Sequence, residues 1–407
     1  MFEQTRAASE IIGGGGSLLL EGDGARWSDA LQPFEGQAQC VYVDPPFMTG
    51  DAFTRRRFYG EQGWRTGVPY PVYPAYSDKF PDRETYLRFL RGLAENGKRL
   101  LGDTGLFCMH LDWRSSAWAR LVCDEVFGEE RFLNEIIWAY ESGGRAKRYF
   151  SRKHDVILVY GRSRKYRFDL TRVPVARESA RRNHMKRRRD DSGRAYRSIR
   201  SGGREYRYYD DAPAYPGDVW SDISHLQQRD PERTGYATQK PVRLVERLLL
   251  PTVAAGDLVC DLCCGSGTTL AAASRLDCRF LGVDESPEAL AIARSRLTDA
   301  PMTLSSPCDE SPALLEGSYD PDTGMLLLTG FHASHPAFPA TRSAMDALEG
   351  WSAGRLANGV MRTEQTFQRS HGHPDLPLMT LLSPGEGDPA VIATDASGRR
   401  RAYVWRG

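Results

Sequence analysis

The segment Cys40-Val41-Tyr42-Val43-Asp44-Pro45-Pro46-Phe47 is an apolar run that ends in a carboxylate, two prolines and an aromatic ring. Two prolines fix two φ angles and offer no N–H, so nearby carbonyls are left without strand partners. The expected product is a rigid ledge carrying the Asp44 carboxylate, the Pro45 carbonyl and the Phe47 ring, with Pro46 inside the corner. Two acceptors beside a flat apolar face suit a planar heterocycle with an exocyclic amine: the acceptors take the amine hydrogens and the ring stacks. The plainer reading of the same residues is a strand that ends in a proline turn.

A second constellation lies in Leu258-Val259-Cys260-Asp261-Leu262-Cys263-Cys264-Gly265-Ser266-Gly267-Thr268-Thr269-Leu270. It reads as an apolar strand, a Gly-x-Gly turn and a helix start, and the glycines let a ligand approach the backbone. Asp284 ends the next apolar strand, where a carboxylate can accept the hydroxyl hydrogens of an adenosine ribose. Asp261 ends the first strand, within reach of a cationic or amino group; its plainer role is a turn cap. The third glycine of GxGxxG is absent and no Lys follows the turn, so a pyrophosphate cradle is poorly supported. Cys260 and Cys263 have C-x-x-C spacing without a second pair or a spaced His, so all three cysteines are read as packing residues and no metal is expected.

These residues must be held by the elements around them. Strand-like runs are expected over 17–20, 40–43, 106–111, 135–139, 155–160, 258–260 and 280–283, and helices over 83–101, 115–127, 241–251, from 268, and over 286–297. The alternation implies an α/β fold, a doubly wound, mainly parallel Rossmann-like sheet with ligands at the strands' carboxyl ends. Residues 13–16 are a glycine run, expected to be a flexible joint behind an N-terminal arm, and 48–80 reads as a long loop. Short apolar runs beyond 299 suggest a small C-terminal α+β or β-rich appendage.

The 407 residues allow two or three domains, and 41% hydrophobic content is globular. No apolar run approaches the roughly 18 residues a membrane span needs, and eight cysteines without disulfide spacing suggest a reducing compartment; the expected location is cytoplasmic, with no membrane partner. The net charge of +1 hides segregation: residues 145–210 hold 22 Lys and Arg against 7 Asp and Glu. Such a block, interleaved with aromatics, is either a solvated insert or a polyanion-binding surface.

The order of Asp44-Pro45-Pro46-Phe47, Thr238-Gln239-Lys240-Pro241 and Asp261-Leu-Cys-Cys-Gly265-Ser-Gly267-Thr-Thr resembles the amino-methylating DNA methyltransferases that use S-adenosylmethionine, in the β subclass where the catalytic corner comes first. Leu18-Leu-Leu-Glu-Gly-Asp23 matches their Gly-Asp element, and 105–113 and 153–160 are similar to family strands. The chain departs from the family at Leu262-Cys263, where Pro-Phe or Pro-Tyr is usual, and matches no motif beyond Asp299.

The resemblance implies a catalytic half (17–160), a target-recognition insert (161–235) and a cofactor half (236–298), and the glycine run and the short apolar runs add an N-terminal arm (1–16) and an appended domain (299–407). It implies S-adenosylmethionine held by Asp23, Gln239, Lys240, Pro241, Asp261, Gly265, Ser266, Gly267, Thr268, Thr269 and Asp284. Lys240 has a plainer reading, as a helix cap or a solvated charge. Asp44, Pro45, Pro46 and Phe47 would form the catalytic corner. Double-stranded DNA is the expected partner, gripped by Arg55, Arg56 and Arg57 and by Lys186, Arg187, Arg188 and Arg189; an exposed charge run is the plainer reading of the first three. A homodimer and a companion restriction endonuclease are partners the family admits. The expected reaction is methylation of adenine N6 in a flipped nucleotide, with cytosine N4 methylation, RNA methylation and a non-catalytic DNA-binding subunit as alternatives.

Overall fold

The computed structural model describes residues 1–7, 9–13, 16–57, 59–67, 70–141, 146–175, 186–227, 230–236, 238–297, 300–333, 343–369 and 373–407, with backbone alone over 52–57 and 70–77. The sheet that carries the corner contains β1 (Leu18–Glu21), β2 (Ala38–Val43), β3 (Leu101–Leu111), β4 (Phe132–Ala139), β5 (His154–Gly161), β6 (Val219–Trp220), β7 (Leu258–Asp261), β8 (Arg279–Asp284) and β9 (Met302–Ser305). Their spatial order is β9-β1-β8-β7-β2-β3-β5-β4-β6. From β9 through β3 every pair is parallel. β5 runs antiparallel to both its neighbours, and β6 is parallel to β4.

Residue alternation along β2 shows why both faces are covered. Cys40 and Tyr42 enter one core layer, with Val245, Leu248 and Ala272, while Val41 and Val43 enter the other, with Tyr86, Leu90 and Leu93. The first layer is roofed by α3 (Val242–Leu249), α4 (Thr268–Arg275) and α5 (Pro287–Arg296), and the second by α1 (Arg83–Leu100) and α2 (Ser116–Phe127). Asp82 caps α1 by accepting from Thr85 N, and the helix buries Tyr86, Leu90, Leu93, Ala94, Gly97 and Leu100 at helical spacing. A Cβ at Gly97 would lie 2.4 Å from the Phe107 ring, so this glycine lets α1 lie close on β3. The fold is the doubly wound, mainly parallel α/β sheet that the strand–helix alternation implies.

Two expectations change. Residues 48–80 are not wholly loop: Ala52–Arg57 pairs antiparallel with Tyr70–Ser77, and helix Gly60–Thr66 lies between them. The partners of this segment are remote in sequence, for Trp64 Nε1 donates to Glu349 Oε2 at 3.2 Å and Arg65 pairs with Asp375 at 2.7 Å.

The N-terminal residues are not an arm either. Phe2–Thr5 pairs antiparallel with Arg400–Trp405, and Ser9–Ile12 lies between β9 and Val360–Gln368. Gly14 and Gly15, at the centre of the expected joint, lie outside the described residues. Beyond α5 the described regular structure is all strand, the β-rich form of the expected appendage. Through Ser9–Ile12, strands Leu348–Ala357, Val360–Gln368, Asp388–Asp395 and Arg400–Trp405, with Phe2–Thr5, extend the central sheet to fifteen strands, while Ala313–Tyr319, Met325–Ala333 and Met379–Leu381 form a sheet of their own.

Buried charge fastens this junction. Glu10 is fully buried, and its carboxylate meets Arg294 of α5 at 2.8 Å and Arg400 at 2.5 Å, while Thr363 Oγ1 donates to it at 2.6 Å. Burial by itself raises the Glu10 carboxyl, but the two guanidiniums outweigh it and hold the group at about 2.

The basic insert contributes β6 and a separate antiparallel sheet of Arg187–Arg189, Ala195–Ser201 and Arg204–Tyr209. No helix among the described residues is long and apolar enough to cross a membrane.

Candidate active site

The carboxyl ends of β2, β7 and β8 open onto one cavity of about 500 Å³. Asp44, Pro45, Pro46 and Phe47 line it, as do Asp23, Gln239, Lys240, Asp261, Gly265, Ser266, Thr268, Thr269 and Asp284. Residues far apart in sequence are therefore brought to one site. Pro241 and Gly267 are not among the lining residues: Pro241 is the N-cap of α3, and Gly267, at φ 74°, the N-cap of α4. A Cβ at Gly267 would lie 2.7 Å from Ala293 Cβ, so helix packing by itself requires a glycine here.

The corner is braced from several directions. Tyr86 Oη donates to the Pro46 carbonyl at 2.8 Å. Asp78 accepts from Met48 N at 2.8 Å and from Thr49 N at 3.0 Å, where Met48 takes the uncommon φ of 58°. Phe47 stacks against His110 at 6.2 Å between centroids. Behind the ledge, Tyr42 Oη lies 2.7 Å from His110 Nδ1, His110 Nε2 lies 3.1 Å from Asp155 Oδ2, and Tyr140 Oη donates to Asp155 Oδ1 at 2.9 Å. Burial opposes the Asp155 charge, but the contacts from His110 and the field of Lys240 outweigh it and hold the carboxyl below its usual range.

Asp44 itself is held on one side only. Lys240 Nζ donates to Asp44 Oδ2 at 2.6 Å, with side chains 11% and 19% exposed, and also lies 5.1 Å from the centre of the Phe47 ring. Asp44 Oδ1 is buried and has no hydrogen-bond partner. Lys240 is thus neither a helix cap nor a solvated charge. Neighbouring Gln239 lines the cavity, but its amide is committed to protein: Oε1 accepts from Thr234 N and Oγ1 at 2.8 Å each, and Nε2 donates to the Glu232 carbonyl at 2.7 Å.

The glycine turn is organised by the two strand-end acids. Asp284 Oδ2 accepts from Gly265 N at 2.8 Å and Oδ1 from Ser286 N at 2.9 Å, while Asp261 Oδ1 accepts from Cys263 N at 3.1 Å. Burial dominates both groups and raises Asp261 to about 7 and Asp284 to about 6; Asp44 and Asp284 push Asp261 further in the same direction. Asp23 caps its own turn through Ala25 N at 2.9 Å. Arg296 secures the turn from α5, donating to the Ser266 carbonyl at 2.8 Å and to Thr268 Oγ1 at 3.1 Å. Among the described lining residues, Asp23, Asp44, Asp78, Asp261, Asp284 and Glu285 face a single cation, Lys240. The cavity suits a positively charged ligand.

The remaining sequence candidates lie elsewhere. Lys186 and, on the sheet of the basic insert, Arg187, Arg188 and Arg189 are exposed and do not line the cavity. Arg187 pairs with Asp210 at 2.7 Å, and Arg189 donates to the Gly193 carbonyl at 2.7 Å. Arg55, Arg56 and Arg57 fall on the strand after the corner, and their side chains are outside the described set. Sequence reasoning missed Tyr42, Thr49, Asp78, Phe89 and Tyr236 as lining residues. Tyr42 carried a signal, since strand alternation sets it two residues before Asp44 on the same face. Asp78 carried none, being 30 residues from the backbone it holds.

A family model described as DNA methylase, for N6 and N4 methyltransferases, matches residues 38–295. The span takes in the corner, the basic insert and the glycine turn, and the chain belongs to this family of amino-methylating DNA methyltransferases. The chain is 27% identical over 312 residues to the type II methyltransferase M.EcaI of Enterobacter cloacae, covering 64% of this chain and 66% of that protein. It is 28% identical over 243 residues to the type II methyltransferase M.BglII of Bacillus subtilis, covering 58% and 63% respectively. The match thus spans just under two thirds of the length of these relatives. Among solved structures, the PvuII DNA methyltransferase, described as cytosine-N4-specific, aligns with a TM-score of 0.45 at 16% identity, covering 74% of this chain and 91% of that one.

S-adenosylmethionine is the cofactor this family implies, and the residues present fit it. Its sulfonium and ammonium match a cavity rich in carboxylates, and its nucleoside matches the acid and glycine turn at the ends of β7 and β8.

Proposed function

We propose that the protein methylates the N6 amine of an adenine flipped out of duplex DNA. The observation that carries this reading is the Asp44 carboxylate, one oxygen of which is bound by Lys240 while the other is buried without a partner beside the Phe47 ring. A buried acceptor left open is costly, and an amine hydrogen satisfies it.

When bound, S-adenosylmethionine supplies an electrophilic methyl on a sulfonium that departs as a neutral thioether. Asp23, Asp261, Asp284 and the Gly265–Ser266 turn would hold it, with Thr268 and Thr269 alongside. The chain's own task is to prepare the nucleophile. An aromatic amine has its lone pair delocalised into the ring, so Asp44 Oδ1 and the Pro45 carbonyl accept its two hydrogens and direct the pair toward the methyl. Once methylated, the nitrogen would carry one proton too many, which Asp44 or water would take. Phe47 offers a stacking face and the prolines keep the acceptors in place.

A base in a duplex cannot reach this ledge, and extrusion costs a few kcal/mol that phosphate contacts must offset. The basic insert supports that role, with Arg187, Arg188 and Arg189 exposed on one strand and Ile199, Tyr206 and Tyr208 half-exposed on the next two. Restriction-modification is the setting that the type II names of the relatives suggest.

Mass spectrometry of nucleosides from plasmid incubated with the protein and labelled cofactor tests the reading. N6-methyladenine should accumulate with the wild-type chain and fall by at least a thousandfold with Asp44→Ala. N4-methylcytosine would correct the target base, and undiminished transfer by the variant would refute the mechanism.

A further inference from the structure

Lys240 stands at an unusual place for a residue of the cofactor half. Its main chain is clamped against that half, because the Lys240 carbonyl accepts from Thr268 Oγ1 at 3.2 Å, Gln239 before it is tied to Thr234 and Glu232, and α3 begins two residues later. Its side chain nonetheless crosses to the catalytic half and meets Asp44 Oδ2 at 2.6 Å, across 196 residues of sequence. It is the only cation among the described residues that line the cavity.

We propose that Lys240 is a positioning residue for methyl transfer, its ammonium fixing the Asp44 carboxylate so that Oδ1 alone is presented to the target amine. The inference rests on the proposed function. A carboxylate turns easily about its last torsion, which has a broad, two-fold profile. An unanchored Asp44 would sample orientations in which neither oxygen lines up with the amine hydrogen. Anchoring Oδ2 by a charge-assisted bond removes that freedom, and the result is visible in an oxygen that is buried yet unpartnered. The same anchor ties the catalytic ledge to the segment that leads into the cofactor half, so that acceptor and methyl donor are held in one frame.

The position of the ammonium also separates this role from cofactor binding. Its contacts are the Asp44 carboxylate and the face of Phe47, rather than the glycine turn or the strand-end acids Asp261 and Asp284. Removing the charge should therefore affect the rate of transfer and leave cofactor affinity nearly unchanged.

The test compares full-length wild-type, Lys240→Met and Lys240→Gln proteins, with kcat and KM measured on plasmid DNA and the cofactor Kd by calorimetry. Lys240→Met should lower kcat by about tenfold to a hundredfold, the range expected when a reacting group loses its alignment. The KM for DNA and the cofactor Kd should stay within about threefold. Lys240→Gln keeps a donor for Oδ2 and should recover part of the lost rate while staying below wild type. If Lys240→Met does not fold, as judged by thermal melting, a reduced kcat with unchanged Kd in Lys240→Gln supports the proposal, and wild-type kcat overturns it. Wild-type kcat in Lys240→Met, or a loss of cofactor affinity matching the loss of rate, overturns it as well. A wild-type protein that transfers no methyl to DNA would instead bring down the functional reading.

Discussion

Acidifying the solution from pH 7 to pH 5 should weaken S-adenosylmethionine binding steeply, and the two strand-end acids determine by how much. Asp261 and Asp284 are raised to about 7 and about 6, chiefly because burial disfavours their charged forms. Each is a better partner for a cationic, hydroxyl-bearing ligand when ionised, so binding must drive off whatever protons they hold. At pH 5 Asp261 lies two units below its midpoint and Asp284 one unit below. Each unit corresponds to roughly tenfold in affinity, or about 1.4 kcal/mol. The expected weakening is roughly fiftyfold from Asp261 alone, which is already half protonated at pH 7, and up to about five-hundredfold if both must ionise. Above pH 7 the dependence should level off.

Calorimetry at half-unit intervals between pH 5 and 7, in two buffers of different ionisation enthalpy, gives both the affinity and the protons released. About one proton or more should leave per ligand bound at pH 6, and Asp261→Asn should flatten most of the slope. The free protein supplies an opposite check. A carboxyl raised by folding contributes stability that is complete below its unfolded value and is lost as the pH climbs through its folded value. These two groups should therefore make the ligand-free chain less stable at pH 7.5 than at pH 5. Affinity constant within threefold across the range, with no proton release, would refute the electrostatic reading of the cavity.

Glu10→Gln should destabilise the chain by about 3 to 5 kcal/mol in urea titration, since it leaves Arg294 and Arg400 buried without their carboxylate. In the wild type the Glu10 contribution is present above about pH 4.5 and should disappear as the pH falls toward 2, because its folded value is depressed. Gly267→Ala should lower stability by about 1 to 3 kcal/mol, combining a left-handed φ of 74° with a Cβ only 2.7 Å from Ala293 Cβ. Gly22→Ala, with no atom within 4 Å of the added carbon, should shift the melting temperature little by comparison.

Local chemistry was legible wherever neighbouring residues suffice to define it. The proline corner, the Gly-x-Gly turn and the strand-end acids Asp261 and Asp284 each follow from a few consecutive residues, and all of them but Gly267 line the cavity. The expected bounds of α1, α2 and α5 lie within one residue of those in the structure, α1 by its apolar spacing. The segment 48–80 was not, because its strands and helix gain their partners from one another and from residues near 349 and 375. The same holds for Phe2–Thr5, whose pairing partner lies at the far end of the chain.

What the amino-acid order determined by itself was the inventory of chemistry: a carboxylate on a stiff corner, a glycine turn with acids at two strand ends, and a basic insert between them. What only the tertiary structure decided was which groups meet and in what state of charge. Asp44 acquires Lys240 as an anchor, Asp78 holds a turn 30 residues away, and Glu10 meets Arg294 and Arg400, 284 and 390 residues further along the chain. The physical reason is that hydrogen bonds, ion pairs and desolvation depend on distances of a few ångströms in space. Strand order and helix packing set those distances for residues that sequence separation leaves unrelated.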